Sequence, residues 1–225
     1  MRSTAFAAAI VAMLTACAPQ TALLMAALPD GMVPILLSHL ERVDDSNLRR
    51  VAELDRRADW DGLARFAEEN IAQDKLNADW WTVAGYAYSR MGKYSRAVEC
   101  YSEVVHLTPD NLTGWNLLAQ AHRGAGQPDR AIKILNNALL IRRDSPMTFY
   151  LLGESYSDVR RFGLAERAYQ EGLKLDDKYA PAWFGAGRAY VRMGRRVEAE
   201  NVVKVLEKLD HRLAFELAES LSRGN

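Results

Sequence analysis

The residues best equipped for chemistry are the four histidines, His39, His106, His122 and His211. They stand in separate stretches of chain. None has a second histidine three or four residues on, the spacing that puts two imidazoles on one helical face to hold a metal. His122 falls in a column of aromatic residues, so it is expected to pack within a helix with one ring nitrogen hydrogen-bonded. Carboxylates pair at Asp44-Asp45 and Asp176-Asp177. Adjacent side chains diverge on a regular element, so these pairs read as turn and helix N-cap residues rather than an acid–base dyad. The two cysteines, Cys17 and Cys100, are too few for a disulfide framework and wrongly spaced for a zinc site. No G-x-S-x-G, Walker A or G-x-G-x-x-G pattern occurs. The chain is therefore expected to be no enzyme, with no cofactor and no metal.

Charge narrows the partners. Lys plus Arg (29) cancels Asp plus Glu (29), and a pI near 6.9 gives no net field to draw in nucleic acid. With 49% hydrophobic and 26% charged residues, the 225-residue chain has the composition of a globular protein that buries a core. The N-terminus departs from this average. Arg2 precedes an apolar run from Ala5 to Leu14, which as a helix spans only about 15 Å, half the hydrocarbon of a bilayer. That length suits the apolar region of a secretory signal over residues 1–16. The tetrad Leu14-Thr15-Ala16-Cys17 resembles the bacterial lipobox. The resemblance implies cleavage before Cys17 and lipidation of that cysteine, a firm three-chain anchor to the membrane. Ala18, rather than aspartate, follows the cysteine, which implies the outer membrane with the chain facing the periplasm. Two other readings stay open. Cleavage after Ala18 is opposed by Pro19, and the uncharged residues 5–28 would serve as an uncleaved signal anchor in the inner membrane, interrupted at Pro19-Gln20.

The elements that position any site follow from a repeat. Trp81, Trp115, Phe149 and Trp183 stand 34 residues apart, as do Gly85, Ala119, Gly153 and Gly187. Tyr88, His122, Tyr156 and Tyr190 keep the same step, and so do Ala97, Ala131, Ala165 and Ala199. The first three columns are four and three residues apart, hence one face of a helix A, and the fourth lies on a helix B. These columns match W-x2-L-G-x2-Y and A-x3-F, so the chain resembles the tetratricopeptide repeat (TPR) family. The resemblance implies an all-α, right-handed superhelical solenoid of antiparallel helix pairs, with repeats at 78–111, 112–145, 146–179 and 180–213.

Glycine at 92, 126 and 194 ends helix A where a left-handed residue satisfies terminal carbonyls, but Arg160 holds that place in the third repeat. That turn is expected either to differ or to form with a costlier residue. Pro109 closes the first repeat, whereas Arg143, Asp177 and His211 occupy the later positions. Upstream, the register puts Trp60 in an inter-helix turn and Leu63 in the alanine column, so residues 44–77 read as a degenerate repeat or capping helix pair. Residues 214–225 read as a capping helix, with Leu213, Ala214, Phe215, Leu217, Ala218 and Leu221 covering the last repeat. Residues 17–43 read as a lipidated linker with a short apolar helix, which docks on the first repeat or contacts membrane or partner.

A stack of this kind has a concave wall made by helix A residues outside the packing columns. Those residues are Thr82, Tyr86, Asn116, Gln120, Arg123, Tyr150, Glu154, Asp158, Phe184, Arg188 and Arg192. Rings and guanidinium groups suit a protein-binding surface, with Arg188 and Arg192 suited to an acidic segment. The alternative is a solvated face stitched by cross-repeat pairs such as Glu154 with Arg188. TPR co-chaperones use lysine and asparagine to clamp a terminal carboxylate, and here Thr82, Tyr86 and Leu117 hold those places, so that ligand is not expected. Cys100 is expected as a half-buried thiol, or as a disulfide linking a homodimer. Signal, lipobox and repeats together resemble the TPR lipoproteins of pilus assembly, the tight-adherence lipoproteins and type IV pilotins. That implies a scaffold recruiting components of pilus or secretion machinery by gripping a protein segment. An adaptor for peptidoglycan enzymes or periplasmic proteases, or a self-associating envelope protein, are the other readings.

Overall fold

Short polar side chains start the helices and left-handed residues end them. Asp44, Asp59, Asn77, Asn111 and Ser145 each accept a backbone N–H from the first turn they precede. Pro128, Pro146 and Pro181 occupy first-turn positions where no N–H is needed. The structure is a computed structural model and describes residues 40 and 42–223. Cys17, the signal, His39 and the apolar stretch before it lie outside the described residues.

Eleven helices are found among the described residues, with no strand. They are α1 (Asp45–Arg56), α2 (Trp60–Gln73), α3 (Ala78–Arg90), α4 (Tyr94–Leu107), α5 (Leu112–Gly124) and α6 (Pro128–Ile141). There follow α7 (Pro146–Asp158), α8 (Phe162–Leu175), α9 (Ala180–Arg192), α10 (Arg196–Leu209) and α11 (His211–Arg223). Each helix packs on the next in the chain, and α3, α5, α7, α9 and α11 also touch one another in turn. The odd-numbered helices thus form one layer and the even-numbered ones sit outside it, as the 34-residue period requires. No helix among the described residues is long and apolar enough to cross a membrane.

Five turns share one geometry. Gly92, Gly126 and Gly194 adopt φ of 70°, 72° and 72°, and Arg160 and Ala58 adopt 60° and 53° at the same register. In each, the next N–H reaches back five residues, from Asp59, Lys93, Gln127, Arg161 and Arg195 to the carbonyls of Leu54, Tyr88, His122, Tyr156 and Tyr190. Arg160 therefore keeps the turn of its neighbours at a backbone cost of about 1–2 kcal/mol for an L-residue. Ala58 extends the register upstream, where α1 and α2 form a pair and Leu63 is as fully buried as Ala97, Ala131, Ala165 and Ala199. Trp60 is corrected from turn to helix: Asp59 caps α2, so the tryptophan is its first residue.

Within a repeat the two helices cross closely. A Cβ built on Gly85 would stand 2.6 Å from the Tyr101 ring, and one on Gly153 would stand 2.4 Å from the Tyr169 ring. The second repeat carries Ala119 at the glycine position and Leu135 at the ring position, trading volume across the crossing. Tyr169 also lies against α9, where a Cβ on Gly185 would be 2.5 Å from its Cζ. At the junctions, the indole N–H groups of Trp81, Trp115 and Trp183 donate to the carbonyls of Lys75, Pro109 and Asp177. Phe149 has no such donor.

The C-terminal boundary is also corrected. The capping helix starts at His211, not 214, because Asp210 accepts the N–H groups of Arg212 and Leu213 and begins α11 early. Leu213, Ala214 and Leu217 are buried on the last repeat. Phe215 is 70% exposed and Ala218 is exposed, since that side of α11 turns away from α9 and α10.

Gly153→Ala is expected to destabilise the fold by about 1–3 kcal/mol through overpacking against Tyr169. Adding Tyr169→Leu, which copies the Ala119 and Leu135 pair, should recover part of that loss in a double-mutant denaturation cycle.

Candidate protein-binding groove

Side chains from the inner helices α3, α5 and α7 line an open cavity of about 680 Å³. Six of the eleven predicted wall residues meet there: Tyr86, Gln120, Arg123, Tyr150, Glu154 and Asp158. Three of the others are placed elsewhere. Thr82 is buried and its hydroxyl bonds back to the carbonyl of Ala78 in its own helix. Asn116 is buried and accepts from Thr148 Oγ1 at 3.0 Å, tying α5 to α7. Phe184 lies under the Arg188 guanidinium, whose centre is 5.5 Å from the ring centroid. Arg188 and Arg192 border a second cleft nearer the C-terminus, together with Asp158.

The floor of the cavity is built around Glu154, which is only 8% exposed. A buried carboxylate is stable only when its lone pairs are met. Here Tyr169 donates its hydroxyl to Oε1 at 2.6 Å, Arg188 donates at 3.2 Å and Arg123 donates to Oε2 at 3.4 Å. Arg123 also grips Asp158 through Nε at 2.7 Å. Burial works against the Arg123 charge, but the hydrogen bond to Asp158 and the nearby carboxylates more than offset it, holding the guanidinium above its ordinary value. The cross-repeat pairing of Glu154 with Arg188 is thus present, and the two acids on α7 are neutralised from both sides.

At the other end, the Tyr86 hydroxyl donates to Asp55 Oδ1 at 2.8 Å, and the Tyr86 ring meets Trp60 edge-on at 5.9 Å. Burial chiefly holds the Asp55 carboxyl above its usual value. Tyr150 packs edge-on against Tyr179 at 5.8 Å. The cavity therefore combines fixed rings and fixed charges with Gln120, a half-buried amide able to donate and accept.

Arg90, Tyr94 and the start of α6 at Pro128 also line the cavity, and sequence reasoning left them out. The signal was available: Trp60, Tyr94, Pro128 and Phe162 share the register of the first helix B residue. His122 is buried with Nδ1 2.9 Å from Gln127 Oε1. Cys100 is buried as well, and burial pushes its thiol up to about 12, leaving little thiolate for disulfide chemistry at neutral pH. No cluster of metal-ligating side chains occurs among the described residues.

The tetratricopeptide repeat profile matches residues 82–146 and 150–219. The chain belongs to this family. The tetratricopeptide repeat-containing protein trd-1 of Caenorhabditis elegans is 31% identical over 104 residues, 44% of this chain and 13% of that protein. The matched stretch thus spans about an eighth of that curated relative. A thermophilic TPR protein of Thermus thermophilus has a similar fold, with a TM-score of 0.64 at 21% identity over 80% of this chain and 99% of that one. YrrB, described as a TPR protein with an unusual peptide-binding site, superposes with a TM-score of 0.57 at 18% identity, covering 75% of this chain and 88% of its own. Proteins of this family generally act as protein-interaction scaffolds.

Two measurements check the groove's construction. Glu154→Ala should cost about 3 kcal/mol in chemical denaturation because it strands buried partners, whereas Arg188→Ala, whose side chain is 45% exposed, should cost under about 1 kcal/mol. Tyr86, Tyr101, Tyr150, Tyr169 and Tyr179 are all held above the ordinary phenol value of 10.0, chiefly by burial. A raised folded value means that the native state keeps the proton, so their contribution is complete below pH about 10 and is lost as pH rises above it. Absorbance titration should show these phenols ionising only as the fold melts, and near pH 10 in denaturant.

Proposed function

We propose that this chain is a lipid-anchored scaffold of the bacterial envelope that holds an extended segment of a partner protein in the cavity of α3, α5 and α7. The observation that carries the binding part is the cavity itself. It is open and flanked by tyrosine rings, and its charges are already paired, so a ligand is recognised through ring contacts and the amide of Gln120. An extended peptide gains main-chain hydrogen bonds and ring contacts there at little entropy cost to rigid helices. The printed description of YrrB as having a peptide-binding site is in keeping with this reading.

The anchor rests on sequence alone, namely the apolar run from Ala5 to Leu14 followed by Leu14-Thr15-Ala16-Cys17. With Ala18 after the cysteine, the proposed location is the outer membrane, periplasmic side. A scaffold so placed would recruit or position components of a pilus assembly or secretion system.

Site-specific photocrosslinking in a lipoprotein-sorting bacterium tests both parts. A crosslinker replacing Gln120 should capture a partner, whereas one at exposed Lys133 on α6 should not. Equal capture from both positions, or from neither, refutes the groove. Cys17→Ser should release the protein from the outer-membrane fraction; membrane attachment unchanged by that substitution refutes the lipid anchor.

A further inference from the structure

The cleft bordered by Arg188 and Arg192 lies at the edge of the stack, between the α7–α8 turn, α9 and α11, and encloses about 980 Å³. Its acids are all engaged. Asp158 is held by Arg123 at 2.7 Å, Glu216 by Arg212 at 3.0 Å and Glu219 by Arg223 at 2.6 Å. Arg188 is engaged with Glu154. Arg160 and Arg192 also line the cleft, and neither has an ion-pair partner among the described residues. Two guanidinium groups therefore face one recess with their charge uncompensated.

The backbone supplies a second, independent observation. Three repeats place glycine at the left-handed turn position, at φ of 70° to 72°, whereas the upstream pair places Ala58 there at 53° and the third repeat places Arg160 there at 60°. A non-glycine residue there carries a backbone cost, and of these two only Arg160 brings a charge. Here its effect is to set a guanidinium at the mouth of the cleft.

We propose that this cleft binds a carboxylate-rich peptide segment of a protein partner, with Arg160 and Arg192 as its pairing groups. Guanidinium groups take carboxylates through two parallel hydrogen bonds, and Phe162 and Val191 add apolar lining suited to the side chains between acids. A planar anionic lipid surface fits less well. The recess also carries Asp158, Glu216 and Glu219, and a chain with equal numbers of acids and bases has no overall field toward a membrane. The inference rests on the scaffold reading; the cleft shares Asp158 with the tyrosine-lined cavity but is not lined by Gln120 or by the tyrosines.

The probe is a fluorescein-labelled peptide of alternating Glu and Leu, read by anisotropy at low salt beside its Gln counterpart, with the full chain. The wild type should bind the Glu peptide and not the Gln peptide, with affinity falling as salt is added. The Arg160→Gly, Arg192→Gln double variant should bind about tenfold more weakly. Arg160→Gly alone should also weaken binding while raising the melting temperature by a few degrees, because glycine relieves the turn. Lost affinity in a more stable protein separates recognition from misfolding. Lys133→Gln, which removes an exposed charge from α6 and lines neither cavity, should leave this binding unchanged. Glu-peptide binding that survives the double variant overturns the proposal. So does loss of binding to phosphatidylglycerol–phosphatidylcholine vesicles in that variant while the peptide still binds, which would assign the cleft to lipid. Failure of crosslinking at Gln120 with intact Glu-peptide binding would sink only the groove reading.

Discussion

The crossing of the two helices in a repeat sets the geometry from which the rest of this protein is built. At positions 85 and 153 the space a Cβ would need is already filled by the rings of Tyr101 and Tyr169. The absence of a side chain lets the outer helix sit deep against the inner one. Tyr169 shows what the depth achieves. Its ring is held between Gly153 and Gly185, and its hydroxyl reaches Glu154 on the floor of the inner surface. One residue of the outer layer is thereby both a core residue and a fixed donor in the candidate site.

That donor helps to satisfy the buried carboxyl group of Glu154, and the consequence spreads sideways. Arg123 from the repeat before and Arg188 from the repeat after converge on the same carboxylate. Three consecutive inner helices are thus registered by one acid, in addition to apolar packing. An isolated surface pair contributes little, but a convergent set around a desolvated acid resists removal of its centre. The inner surface gains rigidity where a ligand would lie, and the adaptable groups, Gln120 above all, stand on a fixed frame.

The solenoid and its register were legible because each repeat restates the same residue types at the same positions. At Arg160 the turn column left two outcomes open, a different turn or the same turn at greater cost, and the second is the one that forms. The helix α11 was legible as an amphipathic cap, but its start depended on whether Asp210 would cap it, and its exposed Phe215 on a rotation the heptad-like pattern left open. The inner surface was harder. Periodicity assigns a residue to a helix face but does not say which atoms meet across repeats. Thr82 and Asn116 looked like free donors yet bond within the stack. Glu154, Asp158 and Arg188 were visible as charges, whereas their convergence on Arg123 and Tyr169 depends on the curvature of the stack.

The tryptophan column has a consequence for how the junctions are braced. At three junctions an indole N–H holds the incoming loop to the helix it feeds, fixing the angle between them. At Phe149 that brace is missing, and the inner helices are held there by Thr148 on Asn116 and by Arg123 on Glu154 and Asp158. The apolar core divides at α5 instead, with Leu117 and Leu118 in the earlier cluster and Ala119 in the later one, so α6 and α7 share one cluster across this junction. The bracing is thus redundant: where the indole is absent, bonds between inner helices replace it, and none of the four junctions rests on apolar contact alone.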